Sequence, residues 1–269
     1  MSNTQERLNV CRNEIDAVDR QLIDLLAKRR AITKRVGEIK SEVGMPIFAP
    51  EREAALFQAR RIEAEEKGVP ADLVEDILRR IMQDSYKSQE ASGYICVNPD
   101  CKKVVVVGGK GQLGRVFVDL FKRSSYQVSV IEQDDWPNSE VILADANLVI
   151  VAVPIRLTSM VIHHLNNLPD DCILADFTSI KESPLYEMLK VHSGPVLGLH
   201  PMFGPDVPSL AKQVIVYCDG RGEEHYQWLL KQFSIWGASL CQIDASEHDH
   251  GMTLIQALRH FTSFAYGLH

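Results

Sequence analysis

The sequence predicts an all-α N-terminal domain followed by an α/β domain of the wound, dinucleotide-binding kind. Three observations carry this. The chain of 269 residues has room for about two domains of ordinary size. Arg7 to Ser92 shows helical spacing with almost no strand pattern, whereas from Lys102 onward short β-branched runs alternate with amphipathic stretches. A Gly-rich turn follows the first of those runs. The joint, Glu90-Ala91-Ser92-Gly93-Tyr94 through Asn98-Pro99-Asp100, is polar and carries Gly and Pro, which places the domains at 1–92 and 93–269.

Composition narrows the function classes. At 45% hydrophobic and 24% charged residues the chain is globular in type. Its longest apolar runs, Val104–Val107 and Leu148–Val153, fall far short of the ~20 residues of a membrane span, so no membrane partner is expected. The polar start, Met1-Ser2-Asn3-Thr4-Gln5-Glu6, lacks the basic and apolar segments of a secretion signal. Six cysteines are scattered, and Cys96 and Cys101 have no second pair at metal-site spacing. Reduced thiols in the cytoplasm, without a metal, are the expectation. A formal net charge of −7 argues against nucleic acid as a partner.

The N-terminal half divides into three helices. The first runs from about Gln5 to Val43, interrupted by no Pro and only by Gly37. Met45-Pro46 and Ala49-Pro50 break it. Pro50 suits the first turn of a second helix, Glu51 to Lys67, and Gly68-Val69-Pro70 separates a third, Ala71 to Gln89.

The first helix has a seam at 3-4 spacing: Leu8, Arg12, Ile15, Asp19, Leu22, Leu26, Arg29, Ile32, Val36, Ile39 or Lys40, and Val43. Arg12, Arg29 and Lys40 lie on or beside a stripe that should be apolar. A single such Arg is as readily a snorkelling side chain. Several on one stripe ask for an anionic ligand, because unpaired buried charge is expensive. Arg12 and Arg29 are 17 residues apart, roughly 25 Å along a helix, so one small ligand reaches both only if they come from two chains. The third helix turns polar along Leu78, Met82, Ser85 and Gln89, and Arg52-Glu53 opens the second.

In the other half, Lys103–Val107 leads into Gly109-Lys110-Gly111-Gln112-Leu113-Gly114 and then an amphipathic stretch. Strand, G-x-G-x-x-G and helix in that order form the Rossmann-type context in which pyrophosphate approaches a helix N-terminus. Glu132 ends the next run, 23 residues after Gly109, where a ribose-binding carboxylate belongs. Gln133-Asp134-Asp135 adds negative charge and no Arg, which would repel a 2′-phosphate, so NAD is expected rather than NADP. Leu148–Val153 with Pro154 reads as a later core strand whose end, Val153-Pro154, reaches the cofactor edge. Further runs are Cys172–Asp176, Val196–Leu199, Val214–Tyr217 and Leu240–Ile243. Ser179 and Lys181 follow one strand, and His200, in a loop stiffened by Pro201, Gly204 and Pro205, follows another. Other histidines, His192 among them, read as structural.

Cys11-Arg12-Asn13-Glu14-Ile15-Asp16-Ala17-Val18-Asp19, Leu25 to Arg30, Val36-Gly37-Glu38-Ile39-Lys40, Pro50-Glu51-Arg52-Glu53 and Asp84-Ser85 resemble the all-helical chorismate mutase family over essentially residues 5–90. The resemblance implies a dimer exchanging its long first helix. Arg29, Arg52 and Arg12 of the partner subunit would hold chorismate's two carboxylates. Lys40 and Gln89 would donate to its ether oxygen, and Glu53 and Ser85 would contact the ring hydroxyl and a nearby carboxylate. Ala49 departs from those members that carry Asp there. The second half is similar to prephenate dehydrogenases, most specifically at Gly198-Leu199-His200-Pro201-Met202-Phe203-Gly204-Pro205 and Ile255-Gln256-Ala257-Leu258-Arg259-His260-Phe261.

Together the halves resemble the bifunctional enzymes of tyrosine biosynthesis. That resemblance implies prephenate as second substrate and NAD as cofactor. His200 would accept the ring-hydroxyl proton, with Ser179 near the nicotinamide and Lys181 and His260 lining the pocket. A homodimer is implied, with tyrosine a candidate feedback inhibitor. Members of that family continue for about another domain's worth of helical residues. This chain stops at His269, in a helix expected from about Ser246 with Ser246 and Asp249 spaced as its N-terminal cap. The expectation is a truncated chain that binds NAD and turns over poorly. Two alternatives stand beside this: a dehydrogenase of another small acid with a helical regulatory module, and a non-catalytic NAD-sensing protein.

Overall fold

A computed structural model of the chain describes residues 2–90 and 93–255. The chain forms two compact units, Met1–Ser92 and Gly93–His269.

The first unit holds three helices, α1 (Ser2–Val43), α2 (Pro50–Glu66) and α3 (Ala71–Glu90). Pro50 occupies the first turn of α2, where its missing N–H costs nothing. The C-terminal third of α1 packs on α3, and α3 on α2. Residues 3–28 of α1 are exposed throughout, including the seam residues Leu8, Ile15, Leu22 and Leu26.

The second unit is built on a seven-stranded sheet: β1 (Lys103–Val107), β2 (Gln127–Ile131), β3 (Leu148–Val151), β4 (Ile173–Asp176), β5 (Val196–Pro201), β6 (Val214–Arg221) and β7 (Ser239–Gln242). Their order is β2-β1-β3-β4-β5-β6-β7. Neighbours run parallel except β5 and β6, which pair antiparallel. The helices between them are α4 (Gln112–Arg123), a 3-10 turn (Gln133–Asn138) running into α5 (Ser139–Leu143), α6 (Ile155–His163), α7 (Glu182–Val191) and α8 (Glu223–Ile235). Residues 245–255 are again helical.

The valines of β1 and all four residues of β3 are buried, which is why both read as continuous apolar runs. β1 sits between β2 and β3, so the strand order reverses beside it. The crevice outside the carboxyl ends of β1 and β3 is where such a sheet takes its ligand.

Three expectations change here. β5 extends through His200 and Pro201, so His200 stands in register opposite Val216 of β6 rather than in a following loop. β3 stops at Val151, leaving Val153 and Pro154 in the link to α6. The cap of residues 245–255 is Asp244, whose Oδ1 accepts from Ser246 N, Ser246 Oγ and Glu247 N; Asp249 serves elsewhere. His260 and the rest of its motif beyond Ile255 lie outside the described residues.

Candidate active sites

In the helical unit, α1, α2 and α3 enclose a cavity of about 300 Å³ lined by Arg29, Thr33, Lys40, Ala49, Arg52, Glu53, Ser85, Tyr86 and Gln89 with apolar Ile32, Val36, Ile47, Leu56 and Met82. Helical spacing explains the set: Arg29, Thr33, Val36 and Lys40 recur every three to four residues and face one way. Arg29 Nη1 donates to Ser85 Oγ at 2.5 Å, and Ser85 Oγ donates to Ile81 O at 2.9 Å. Lys40 Nζ donates to the carbonyls of Pro46 (3.0 Å) and Ile47 (2.8 Å), and burial lowers its pKa. Glu53, buried, accepts from the hydroxyl of Tyr86, whose pKa is raised by burial and then by that carboxylate.

Gln89 is 7% exposed, and its Oε1 has no hydrogen-bond partner. Buried amide oxygens left without a partner are uncommon and call for a ligand or water. Three cations, one carboxylate and this amide therefore converge on a space of small-molecule size. Arg12 does not join them. It lies on the exposed stretch of α1, 3.5 Å from Asn9 Oδ1. Tyr86 was missed from sequence although it lies on the same helical stripe as Met82, Ser85 and Gln89.

In the α/β unit, β1 delivers the chain into the Gly-rich turn. Gly108 has φ +81° and donates to Ile131 O. Each motif glycine is required by closeness. A Cβ on Gly109 would sit 2.8 Å from Val130 Cγ2, on Gly111 3.0 Å from Gly108 O, and on Gly114 2.5 Å from that same oxygen. Gly111 is the N-cap of α4 and supplies no side-chain cap, so the helix presents bare N–H groups beside Gln112 and Leu113. Glu132 Oε1 accepts from Lys110 N at 2.6 Å, and Glu132 and Asp135 cap the turn after β2 reciprocally. This puts a carboxylate at the mouth of the glycine turn, as ribose binding needs. Ala152 O lies 2.8 Å from where a Cβ of Gly108 would be, which brings the link through Val153 and Pro154 against the same turn. A dinucleotide fits these residues.

The dehydrogenase candidates lie around the end of β5. His200 is 8% exposed, and its Nδ1 stands 2.9 Å from Nε2 of His248. Burial first, then His248 and Lys181, push its pKa down to about 4, well below the ordinary imidazole value. Ser179, half-buried, sits between β4 and α7 and makes no hydrogen bond to His200. Lys181 requires a correction. It is fully buried, and its ammonium is engaged by Asp176 Oδ1 and Oδ2 (both 2.6 Å) and by Leu199 O (2.8 Å). With its three donor hydrogens so occupied, it braces β4 against β5 rather than lining a pocket. Asp176, His248 and Asp249 are the residues that sequence reading missed here.

The comparisons speak to both units. Residues 11–90 match the family of type II chorismate mutases, and residues 123–238 the nucleotide-binding domain of prephenate dehydrogenase. The T-protein of Enterobacter agglomerans is 55% identical over 262 residues, covering 97% of this chain and 70% of its own length. That of Haemophilus influenzae is 53% identical over 265 residues, covering 98% and 70%. A crystal structure of Aquifex aeolicus prephenate dehydrogenase with hydroxyphenyl propionate and NAD⁺ shares the fold at a TM-score of 0.53 and 16% identity, over 61% of this chain and 68% of that one. The chain belongs to the T-protein family, which couples a chorismate mutase to a prephenate dehydrogenase.

Proposed function

We propose the following division of labour within the two activities, chorismate to prephenate and NAD-dependent oxidative decarboxylation of prephenate to 4-hydroxyphenylpyruvate. Chorismate occupies the helical cavity. Arg29 and Arg52, with Arg12 of the partner subunit, hold its carboxylates and fix the diaxial conformer in which the reacting carbons meet. Lys40 and Gln89 donate to the ether oxygen, on which negative charge grows as the C–O bond breaks and the C–C bond forms. Glu53, held by Tyr86, and Ser85, held by Arg29, position the ring hydroxyl and a carboxylate. No nucleophile is needed. The observation that carries this reading is the convergence of the cations Arg29, Lys40 and Arg52 on one cavity whose wall also holds the buried amide of Gln89.

The homodimer is part of the proposal. Long stretches of exposed apolar side chain mark association surfaces, and Leu8, Ile15, Leu22 and Leu26 form one on α1, beside the Arg12 that the cavity lacks.

In the α/β unit, NAD bound at the glycine turn supplies the hydride acceptor. His200 draws the proton from the ring hydroxyl of prephenate as hydride departs, and loss of CO₂ with aromatisation makes the step irreversible. Ser179, in the link that follows the carboxyl end of β4, is assigned to the nicotinamide and the substrate hydroxyl. Glu132 holds the adenosine ribose, and its neighbours Asp134 and Asp135 disfavour a 2′-phosphate. A cytoplasmic location is supported by free cysteines, among them Cys11 and Cys241. Tyrosine, the end product's derivative, is the candidate inhibitor.

The test gives the chain chorismate with and without NAD⁺ and follows chorismate loss and NADH together, then repeats both with added tyrosine. Chorismate loss that disappears in Arg29→Ala supports the mutase assignment. NADH formation falling by roughly 10²–10⁴-fold in His200→Asn supports the proton acceptor. Unchanged rates in either variant would overturn the corresponding role.

A further inference from the structure

The strand carrying His200 and the helical turn carrying His248 are brought together from 48 residues apart. His248 is 4% exposed. Its Nε2 lies 2.9 Å from His200 Nδ1, and its Nδ1 lies 2.8 Å from Asp249 Oδ1. The rings meet edge to face, centroids 5.1 Å apart at 75°. Asp249 is itself fixed. Oδ1 also accepts from Lys181 N at 2.7 Å and Oδ2 from Glu182 N at 3.0 Å, so the carboxylate caps the start of α7. Burial works against its charge, but the Glu182 N–H, the His248 ring and the Lys181 N–H outweigh that and hold its carboxyl below the ordinary range.

These contacts have one consistent proton arrangement with both rings neutral. A carboxylate only accepts, so His248 carries its hydrogen on Nδ1. Its Nε2 is then a lone pair and accepts, so His200 must donate from Nδ1. That leaves His200 Nε2 bare, and Nε2 makes no hydrogen bond to any described residue. The same bonds explain why Asp249, spaced like a cap for its own helix, is spent on another one.

We propose that His248 and Asp249 are positioning residues that select the Nδ1–H tautomer of His200 and so leave Nε2 as the proton-accepting nitrogen of the dehydrogenase. The proposal rests on the reading of His200 as acceptor and extends it to a reason for its competence. Without Asp249, nothing in the chain of contacts fixes which nitrogen of either ring is protonated.

The test is a two-bond ¹H–¹⁵N correlation spectrum of the ¹⁵N-histidine-labelled chain at neutral pH, with His200 assigned from its absence in His200→Asn. The expected result is a protonated Nδ1 and an unprotonated Nε2 on His200. Asp249→Ala removes the acceptor that holds the hydrogen on His248 Nδ1; His248 can then carry it on Nε2 and donate to His200 Nδ1, and His200 should show a proton on Nε2. Prephenate-dependent NADH formation should then fall in kcat, by roughly 10²–10⁴-fold for complete reversal. KM should move less than about threefold, and chorismate loss should stay as in the parent. A merely structural Asp249 would lower stability without moving the proton. A proton on Nε2 of His200 in the parent chain, or an unchanged tautomer in folded Asp249→Ala, would overturn the proposal. If Asp249→Ala does not fold, the parent spectrum decides alone. Full NADH formation by His200→Asn would instead remove the acceptor reading, an outcome separate from the tautomer result.

Discussion

Gly37 of α1 and Gln89 of α3 are in backbone contact: a Cβ built on Gly37 would lie 2.8 Å from Cα of Gln89 and 3.0 Å from its Cβ and Cγ. The lone glycine of a 42-residue helix is thus the notch that lets α3 seat its penultimate residue, Gln89, in the cavity wall. Glycine inside a helix costs about 1 kcal/mol against alanine, so its presence here reflects the close approach.

Gly37→Ala should therefore improve the intrinsic helicity of α1 while displacing Gln89 from the cavity. A misplacement of about 1 Å can cost on the order of 10² in rate, and mutase kcat should fall by roughly 10- to 100-fold. Steady-state chorismate loss is the measurement; a parent-like rate would mean that α3 can shift without moving the amide.

The shared mutase site makes a prediction about mixtures. Arg12→Ala and Arg29→Ala should each be inactive alone. If each site joins Arg29 of one subunit to Arg12 of its partner, a mixed dimer has one site lacking both residues and one intact. Equal mixing after subunit exchange should restore roughly a quarter of the parent activity. No recovery, with exchange shown by mass spectrometry, would place both arginines' effects within one subunit.

The buried pair Lys181 and Asp176 should matter to folding more than to chemistry. Removing one partner leaves a charge with no exposed surface, and such changes cost about 3–5 kcal/mol. Asp176→Ala should lower the unfolding free energy of the α/β unit by that order, read from denaturant unfolding. A loss under about 1 kcal/mol would mean that the ammonium finds water.

His200 sets a pH expectation. Its imidazole is pushed from 6.5 to about 4 by burial, then by His248 and Lys181. The depressed value means that the unfolded chain takes up a proton near 6.5 that the folded chain refuses. This contribution to stability is full above about 6.5 and is lost as pH falls toward about 4. Since kcat/KM reports the free enzyme, its acid limb for prephenate oxidation should lie near 4 rather than 6.5. An inflection at the ordinary value would place His200 in a wetter setting than the structure gives it.

Much of the molecule is local in origin and so was open to a reader of the sequence. Three helices, seven strands and the glycine turn follow from periodicity, from Pro and Gly positions and from the spacing to Glu132, all set within a few tens of residues. The seam cations Arg29 and Lys40 announced the cavity because charge on an apolar stripe is costly wherever it lies, and Arg12's distance along one helix separated it from them. Tertiary structure decided the rest. Ser246 and Asp249 are spaced as a cap, yet Asp244 does the capping and Asp249 turns to Lys181, Glu182 and His248, because only packing brings the start of α7 within reach. Lys181 follows a strand end as a ligand-binding lysine would, yet Asp176 and Leu199 O enclose it. His200 belongs to β5 because β6 runs antiparallel beside it, a pairing between strands that no short-range pattern encodes. Spacing along one element fixes what faces where; which buried donor meets which acceptor is set only when distant segments close on each other.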